Sequence, residues 1–215
     1  MKRVLLSLLL FTSISTFLFA ENVRKVTSVH YYEGDPKREM TFYNSDGEEV
    51  AKEFYNIDGR VMGVKGDIPE GDIFEYYENG NIKSNARYNS NLLYNETEYY
   101  ESGVKKSSIK NEWSGIKLQK TVNVMYYPDG NKQQEIEMDG DGSGISKLYY
   151  DTGELFETAE LKDVCRDGKV TRYYKSGKKQ LSGFMKDDML NGLAEEYDIK
   201  GKLIRKVEYI DDKIR

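Results

Sequence analysis

A tyrosine followed four positions later by a glycine recurs eight times along this chain, and no other feature restricts its fold as much. The pairs are Tyr43 and Gly47, Tyr55 and Gly59, Tyr76 and Gly80, Tyr99 and Gly103, Tyr126 and Gly130, Tyr149 and Gly153, Tyr173 and Gly177, and Tyr197 and Gly201. Successive tyrosines are 12, 21, 23, 27, 23, 24 and 24 residues apart, so the first step is about half a period. A period of this size is the mark of an array of small units, each leaning on its neighbours. The next residue is often a second tyrosine: Tyr77, Tyr100, Tyr127, Tyr150 and Tyr174. The two columns hold 13 of the 18 tyrosines, so the unusual tyrosine content is itself part of the repeat.

The chemistry inside each unit is that of a β-hairpin. Asp46–Gly47, Asp58–Gly59, Asn79–Gly80 and Asp129–Gly130 are turn dipeptides, because glycine enters the left-handed region freely and Asn or Asp nearly so. A second glycine precedes several motif tyrosines (Gly71, Gly144, Gly168, Gly192) and is expected to mark the turn between hairpins. Beyond each motif glycine, Ala86, Ile109, Ile136, Ala159 and Val207 lie six positions on, and Tyr88, Met138, Leu161, Met185 and Tyr209 eight positions on. Even spacing places them on one face of a strand. Two positions on, Ile82, Leu155 and Leu203 alternate with Lys105, Lys132 and Lys179, so that border is expected to be wet. The expected fold is all-β: an elongated single-layer antiparallel meander of about eight hairpins, roughly 75 Å long at the usual strand spacing. The array occupies residues 41–215, behind a less regular or degenerate unit at 21–40. Gly63 to Gly71, with Pro69, is expected to be a loop. Trp113 sits in the longest unit, where a bulge or insertion is expected.

The first twenty residues resemble a secretory leader: basic Lys2 and Arg3, an apolar run from Val4 to Phe19, then Ala20 before polar Glu21. Cleavage after Ala20 is expected, with export to the periplasm or beyond. It would leave 30 basic against 37 acidic residues, a net charge of −7, which disfavours nucleic acid and anionic lipid as partners. Membrane contact beyond the leader is not expected. Cys165 is the only cysteine, so no internal disulfide can form.

Catalytic chemistry finds little to build on. His30 is the only histidine, which leaves no histidine cluster for a metal and places a lone candidate base in the irregular segment. Acids such as Glu78, Glu101 and Asp151 recur at turn positions, as solvated hairpin tips do. No cofactor is expected. Asp139-Gly140-Asp141-Gly142-Ser143-Gly144 opens like a calcium loop, with oxygen donors Asp139, Asp141 and Ser143. Its twelfth position is Tyr150, where such a loop needs a bidentate glutamate.

Tyr76-Tyr77-Glu78-Asn79-Gly80-Asn81-Ile82-Lys83 resembles the MORN repeat variant of bacteria, as do Tyr149 through Leu155 and Gly168 through Gly177. The chain as a whole resembles the YwqK-family antitoxin group over roughly residues 40 to 210. The resemblance implies a hairpin-repeat fold and an antitoxin-like or immunity-like role, with a protein partner such as a toxin met outside the cytoplasm.

The expected function is that of an exported, non-catalytic protein-interaction module. Its candidate contact residues are Tyr77, Tyr100, Tyr127, Tyr150, Tyr174 and Trp113, because aromatic strips anchor protein partners. The alternative is a glycan- or peptidoglycan-binding envelope protein that stacks sugars on the same rings.

Overall fold

The computed structural model describes residues 22–32, 35–55 and 61–215. The leader and its cleavage point, the Asp58–Gly59 turn and the side chain of His30 lie outside them. Every regular element among the described residues is a β-strand, and no helix there is long and apolar enough to cross a membrane. The strands are β1 (Asn22–Tyr32), β2 (Asp35–Tyr43), β3 (Glu49–Tyr55), β4 (Val61–Gly66), β5 (Gly71–Tyr76) and β6 (Ile82–Asn89). Then follow β7 (Leu92–Tyr99), β8 (Lys105–Ser114), β9 (Lys117–Tyr126), β10 (Lys132–Asp139), β11 (Gly144–Tyr149) and β12 (Leu155–Lys162). The last are β13 (Cys165–Tyr173), β14 (Lys179–Lys186), β15 (Met189–Leu190), β16 (Gly192–Tyr197), β17 (Leu203–Ile210) and β18 (Lys213–Ile214).

From β5 onward each strand pairs antiparallel with the next, and the short β15 and β18 lie beside the ends of β14 and β17. This is the expected single-layer meander. The first four strands depart from it. β1 pairs antiparallel with β2 but parallel with β5, through Asn22 opposite Ile73 and Val23 opposite Phe74. The spatial order is therefore β4–β3–β2–β1–β5–β6 and so on, with the amino-terminal strand inserted between the first hairpins and the array.

That order forces the sheet to curl. Flat, β4 and β5 would stand about 19 Å apart. The link between them is residues 67–70, since β4 runs to Gly66, further than the loop expected from Gly63. Such a link reaches at most about 18 Å. The roll closes instead, and Ile68 of the link is buried against Met40, Phe42, Ala51, Ile73, Ala86 and Tyr88. Phe42 and Tyr88 meet edge to face at 5.4 Å between ring centres, although β1 and β5 lie between their strands.

A second core lies on the same, inner face further along. Ser146, Ala159, Val170, Gly183, Ala194 and Val207 stand side by side across β11 to β17. Val170 is fully buried although no second layer of described residues lies above it. These small residues allow the face to close on itself while Leu181, Met185 and Leu190 fill the flanks. Gly183 is required there, because a Cβ would stand 2.9 Å from that of Ala194. Each larger side chain so buried contributes roughly 1.5–3 kcal/mol. Two positions after the motif glycine, Ile82 and Leu203 are exposed and Leu155 is half-buried, because a bulge at the start of the strand turns them outward.

Candidate functional site

The motif tyrosines and glycines build one long edge of the ribbon. Gly80 N–H donates to the Tyr77 carbonyl and Tyr77 N–H to that of Asn81, both at 2.9 Å. The same pair of bonds recurs at Gly47, Gly103, Gly130, Gly153, Gly177 and Gly201. All seven glycines have φ between +78° and +96°. Each is a three-residue hairpin loop in which glycine takes the left-handed position.

The second tyrosine column lies on these loops and ties each repeat to the next. Tyr77 hydroxyl donates to the carbonyl of Tyr99 (2.6 Å), Tyr100 to Tyr126 (2.9 Å), Tyr127 to Tyr149 (3.1 Å), Tyr150 to Tyr173 and Tyr174 to Tyr197 (both 2.8 Å). The acceptor is always the first-column tyrosine two strands further on. The five hydroxyls of the candidate contact strip are thus engaged within the chain, and the rings are half-buried. Tyr150 packs edge to face on Phe156 at 5.1 Å, with the Lys175 ammonium 5.2 Å from its ring centre. Where the column is interrupted, the side chain caps its own turn: Asn44 accepts from Asp46 and Glu48 N–H, and Asp198 from Lys200 and Lys202 N–H. Trp113 lies elsewhere, opposite Leu118 beside a bulge in the longest hairpin, and its indole N–H donates to the Leu93 carbonyl at 2.9 Å.

The opposite edge is built differently from the expectation. Four of its turns are the pairs Ser90–Asn91, Asp163–Val164, Asp187–Asp188 and Asp211–Asp212, all left-handed. The second glycine lies beyond the turn, opening β5, β11 and β16 or standing within β13. At Gly144 the reason is close approach, since a Cβ would overlap the Glu137 carbonyl oxygen. The second turn residue reaches back one repeat: Asn91 accepts from Ile68 N–H at 2.7 Å, Asp188 from Arg166 at 3.2 Å and Asp212 from Leu190 at 2.7 Å. Arg166 also donates from its side chain, which holds the Asp188 carboxyl below the usual range.

The calcium-like segment forms another hairpin loop. Gly142 N–H donates to the Asp139 carbonyl, and Asp141 accepts from Ser143 N–H at 2.9 Å, which lowers its pKa. No group of three or more His, Cys, Asp or Glu side chains gathers in metal-binding fashion among the described residues.

Two buried charge clusters lay beyond the sequence motifs. Arg24 of β1, 4% exposed, donates to Tyr88 hydroxyl (3.1 Å) and Ser84 hydroxyl (3.0 Å) and pairs with Glu96. Tyr55 and Tyr88 hydroxyls donate to Glu53 beside it. Burial raises the Glu53 carboxyl and pushes Tyr88 up to about 12. Further along, buried Glu157 pairs with Arg172 at 2.7 Å and Arg166 at 3.1 Å.

No layer of the described residues covers the outer face. One of its rows reads Lys147, Thr158, Thr171, Ser182, Glu195 and Lys206 across β11 to β17. The row beside it carries Lys169, Phe184, Leu193 and Glu208, and both Phe184 and Leu193 are 58% exposed. A separate cleft of about 270 Å³ is lined by Arg172, Tyr174, Gln180, Leu181, Glu196, Tyr197 and Ile204.

Fold and loops together define a β-hairpin repeat ribbon. Residues 69–90 and 166–187 match the MORN repeat variant family, so the ribbon contains repeats of MORN type. No curated protein matches the chain significantly in sequence. Among solved structures it is similar to the TcdB2-TccC3-TEV crystal structure, at 14% identity and TM-score 0.21, over 83% of this chain and 12% of that one. The Photorhabdus luminescens Tc holotoxin pore with TccC3-D651A gives 13% identity and TM-score 0.21, over 86% of this chain and 12% of that one. The chain thus spans about an eighth of those chains, and a TM-score of 0.21 is too low to carry any relationship in fold or function.

Proposed function

We propose that the chain is an exported, non-catalytic protein-interaction module that binds its partner along the outer face. The observation that carries this reading is the asymmetry of the ribbon. The inner face is closed over two cores, whereas the outer face stays open along the array and is bordered by the tyrosine strip. A partner would meet hydroxyls and charges there, together with the ring faces of the tyrosines. An antitoxin-like or immunity-like role is the finer form of the proposal, and the MORN-type repeats support it only as far as binding.

The test is capture from envelope extract by the tagged full chain, beside a bait carrying Thr97→Arg, Ser108→Arg and Thr158→Arg on the outer face. A protein held by the first bait and lost from an equally stable second bait supports the reading. Equal capture by both, or none, overturns it. Export is tested by fractionation and amino-terminal sequencing, which should give Glu21 as the first residue.

A second reading, glycan binding, draws on the cleft at Tyr174 and Tyr197, where rings lie beside Arg172, Gln180 and Glu196. Calorimetry with cell-wall fragments should give heat that Gln180→Ala diminishes. No heat at all removes this reading.

A further inference from the structure

Phe184 and Leu193 are cross-strand neighbours. Leu181 pairs with Glu196 and Ser182 with Glu195; past Gly183 and Ala194 the β16 side bulges, and Asn191 N–H donates to the Phe184 carbonyl at 2.9 Å. The bulge leaves Leu193 beside Phe184 on the outer face, where both line one shallow cleft with Lys169 and Ser182. Lys169 lies beside Phe184 on β13, and Glu208 beside Leu193 on β17. The outer row therefore reads cation, aromatic, aliphatic, anion. Such a row is complementary to its own reversal. Turned by a half rotation about a line parallel to the strands between β14 and β16, Lys169 faces Glu208, Phe184 faces Leu193, and the reverse. The neighbouring row obeys the same operation: Thr171 comes to face Lys206, and Ser182 to face Glu195. No like charges meet in either row.

We infer that this face docks a second copy of the chain, face to face about that two-fold axis. Two sheets packed in this way keep their strands nearly aligned at a spacing of about 10 Å. A two-fold contact uses one patch twice, so a single row of mixed charge suffices. The apolar centre is small, which makes the dimer weak and rapidly exchanging rather than obligate. Glu208 already meets Arg215 at 3.5 Å, an exposed pair that a closer partner can displace. The inference places one partner on the outer face proposed above. If it fails, a foreign partner there is untouched, since that is read by capture and not by self-association.

Sedimentation of the full chain over a wide concentration range is the test. A monomer–dimer equilibrium is expected, weakened by salt. Lys169→Glu and Glu208→Lys should each raise the dissociation constant by about tenfold or more, by setting like charges face to face. The double reversal should restore it to within about threefold. Phe184→Ser should abolish the dimer without lowering the melting temperature, because the ring is exposed. Monomer at every concentration, growth beyond dimers, or a double reversal that fails to recover would each overturn the inference.

Discussion

The Tyr150 hydroxyl donates to the main-chain carbonyl of Tyr173, 2.8 Å away and two strands further along the sheet. The bond joins one repeat to the next without involving the strand between them. Tyr150→Phe removes only that bond and should cost about 1 kcal/mol. Tyr150→Ser also removes the ring from Phe156 and should cost about 3 kcal/mol or more. Denaturant melts of the two variants check the ordering, and equal losses would mean that the ring contributes nothing.

Glycines at the two edges resist substitution for different reasons. Gly177 has φ +78° and open space around it, so Gly177→Ala should cost about 1–2 kcal/mol from backbone strain alone. Gly177→Asn should cost less, because asparagine tolerates the left-handed region. Gly177→Val and Gly153→Val should cost more than alanine. At Gly144 the obstacle is the Glu137 carbonyl, so alanine and asparagine should be equally damaging. Thermal melts of the four alanine and asparagine variants would expose a wrong assignment as loss of this crossover.

Much of this was legible in the sequence, and the reason is local chemistry. The motif glycines sit where a hairpin loop needs a left-handed residue, and the second tyrosine column marks each place where a neighbouring loop offers a carbonyl. Even its gaps carry meaning. β3 and β4 pair, so the connection after Tyr55 falls on the opposite edge from that after Tyr43. That accounts for the half-period step and for Asn44 in place of a tyrosine. The insertion of β1 was not legible, because it rests on two parallel pairs and on Arg24, a residue with no motif whose partners lie more than fifty positions away. The second glycine was misplaced because close approach to Glu137 depends on register across strands, which spacing alone does not fix. The exposure of Phe184 and Leu193 likewise follows only once the pairing of β14 with β16 is known.

Val164 carries φ +72° in a turn where its counterparts are Asn91, Asp188 and Asp212. A β-branched residue is strained in that region. Val164→Asn should therefore stabilise the chain by about 1 kcal/mol. A melting temperature that falls instead would show that the packing of the valine side chain outweighs the strain.

Alkaline titration should reach the core beside Arg24. Burial pushes the Tyr88 hydroxyl from 10.0 up to about 12. Because the folded value is raised, its contribution is complete below pH 10 and is lost as the pH rises towards 12. That amounts to about 3 kcal/mol across the window. Tyr55 is raised as well, by burial and then by Glu53, and steepens the same limb. Stability measured against pH should decline more gently there in Tyr88→Phe than in the parent chain. Parallel slopes would place Tyr88 outside the titration.

Arg24 holds the inserted strand to the array. Among the described residues β1 pairs with the array at two parallel positions, and the Arg24 side chain adds a hold through Tyr88, Ser84 and Glu96. Removing one partner of a buried ion pair leaves the other uncompensated, at about 3–5 kcal/mol. Arg24→Ala should therefore destabilise far more than Arg205→Ala, whose guanidinium is half-exposed beside Glu196. The damage should also be local. Hydrogen exchange is expected to quicken in β1, β6 and β7, which Arg24 bridges, and to stay unchanged in β12 to β17, where Glu157 with Arg166 and Arg172 holds an independent core. Uniform acceleration across all strands would mean that the ribbon unfolds as one cooperative unit and that Arg24 is no more than a contributor to it.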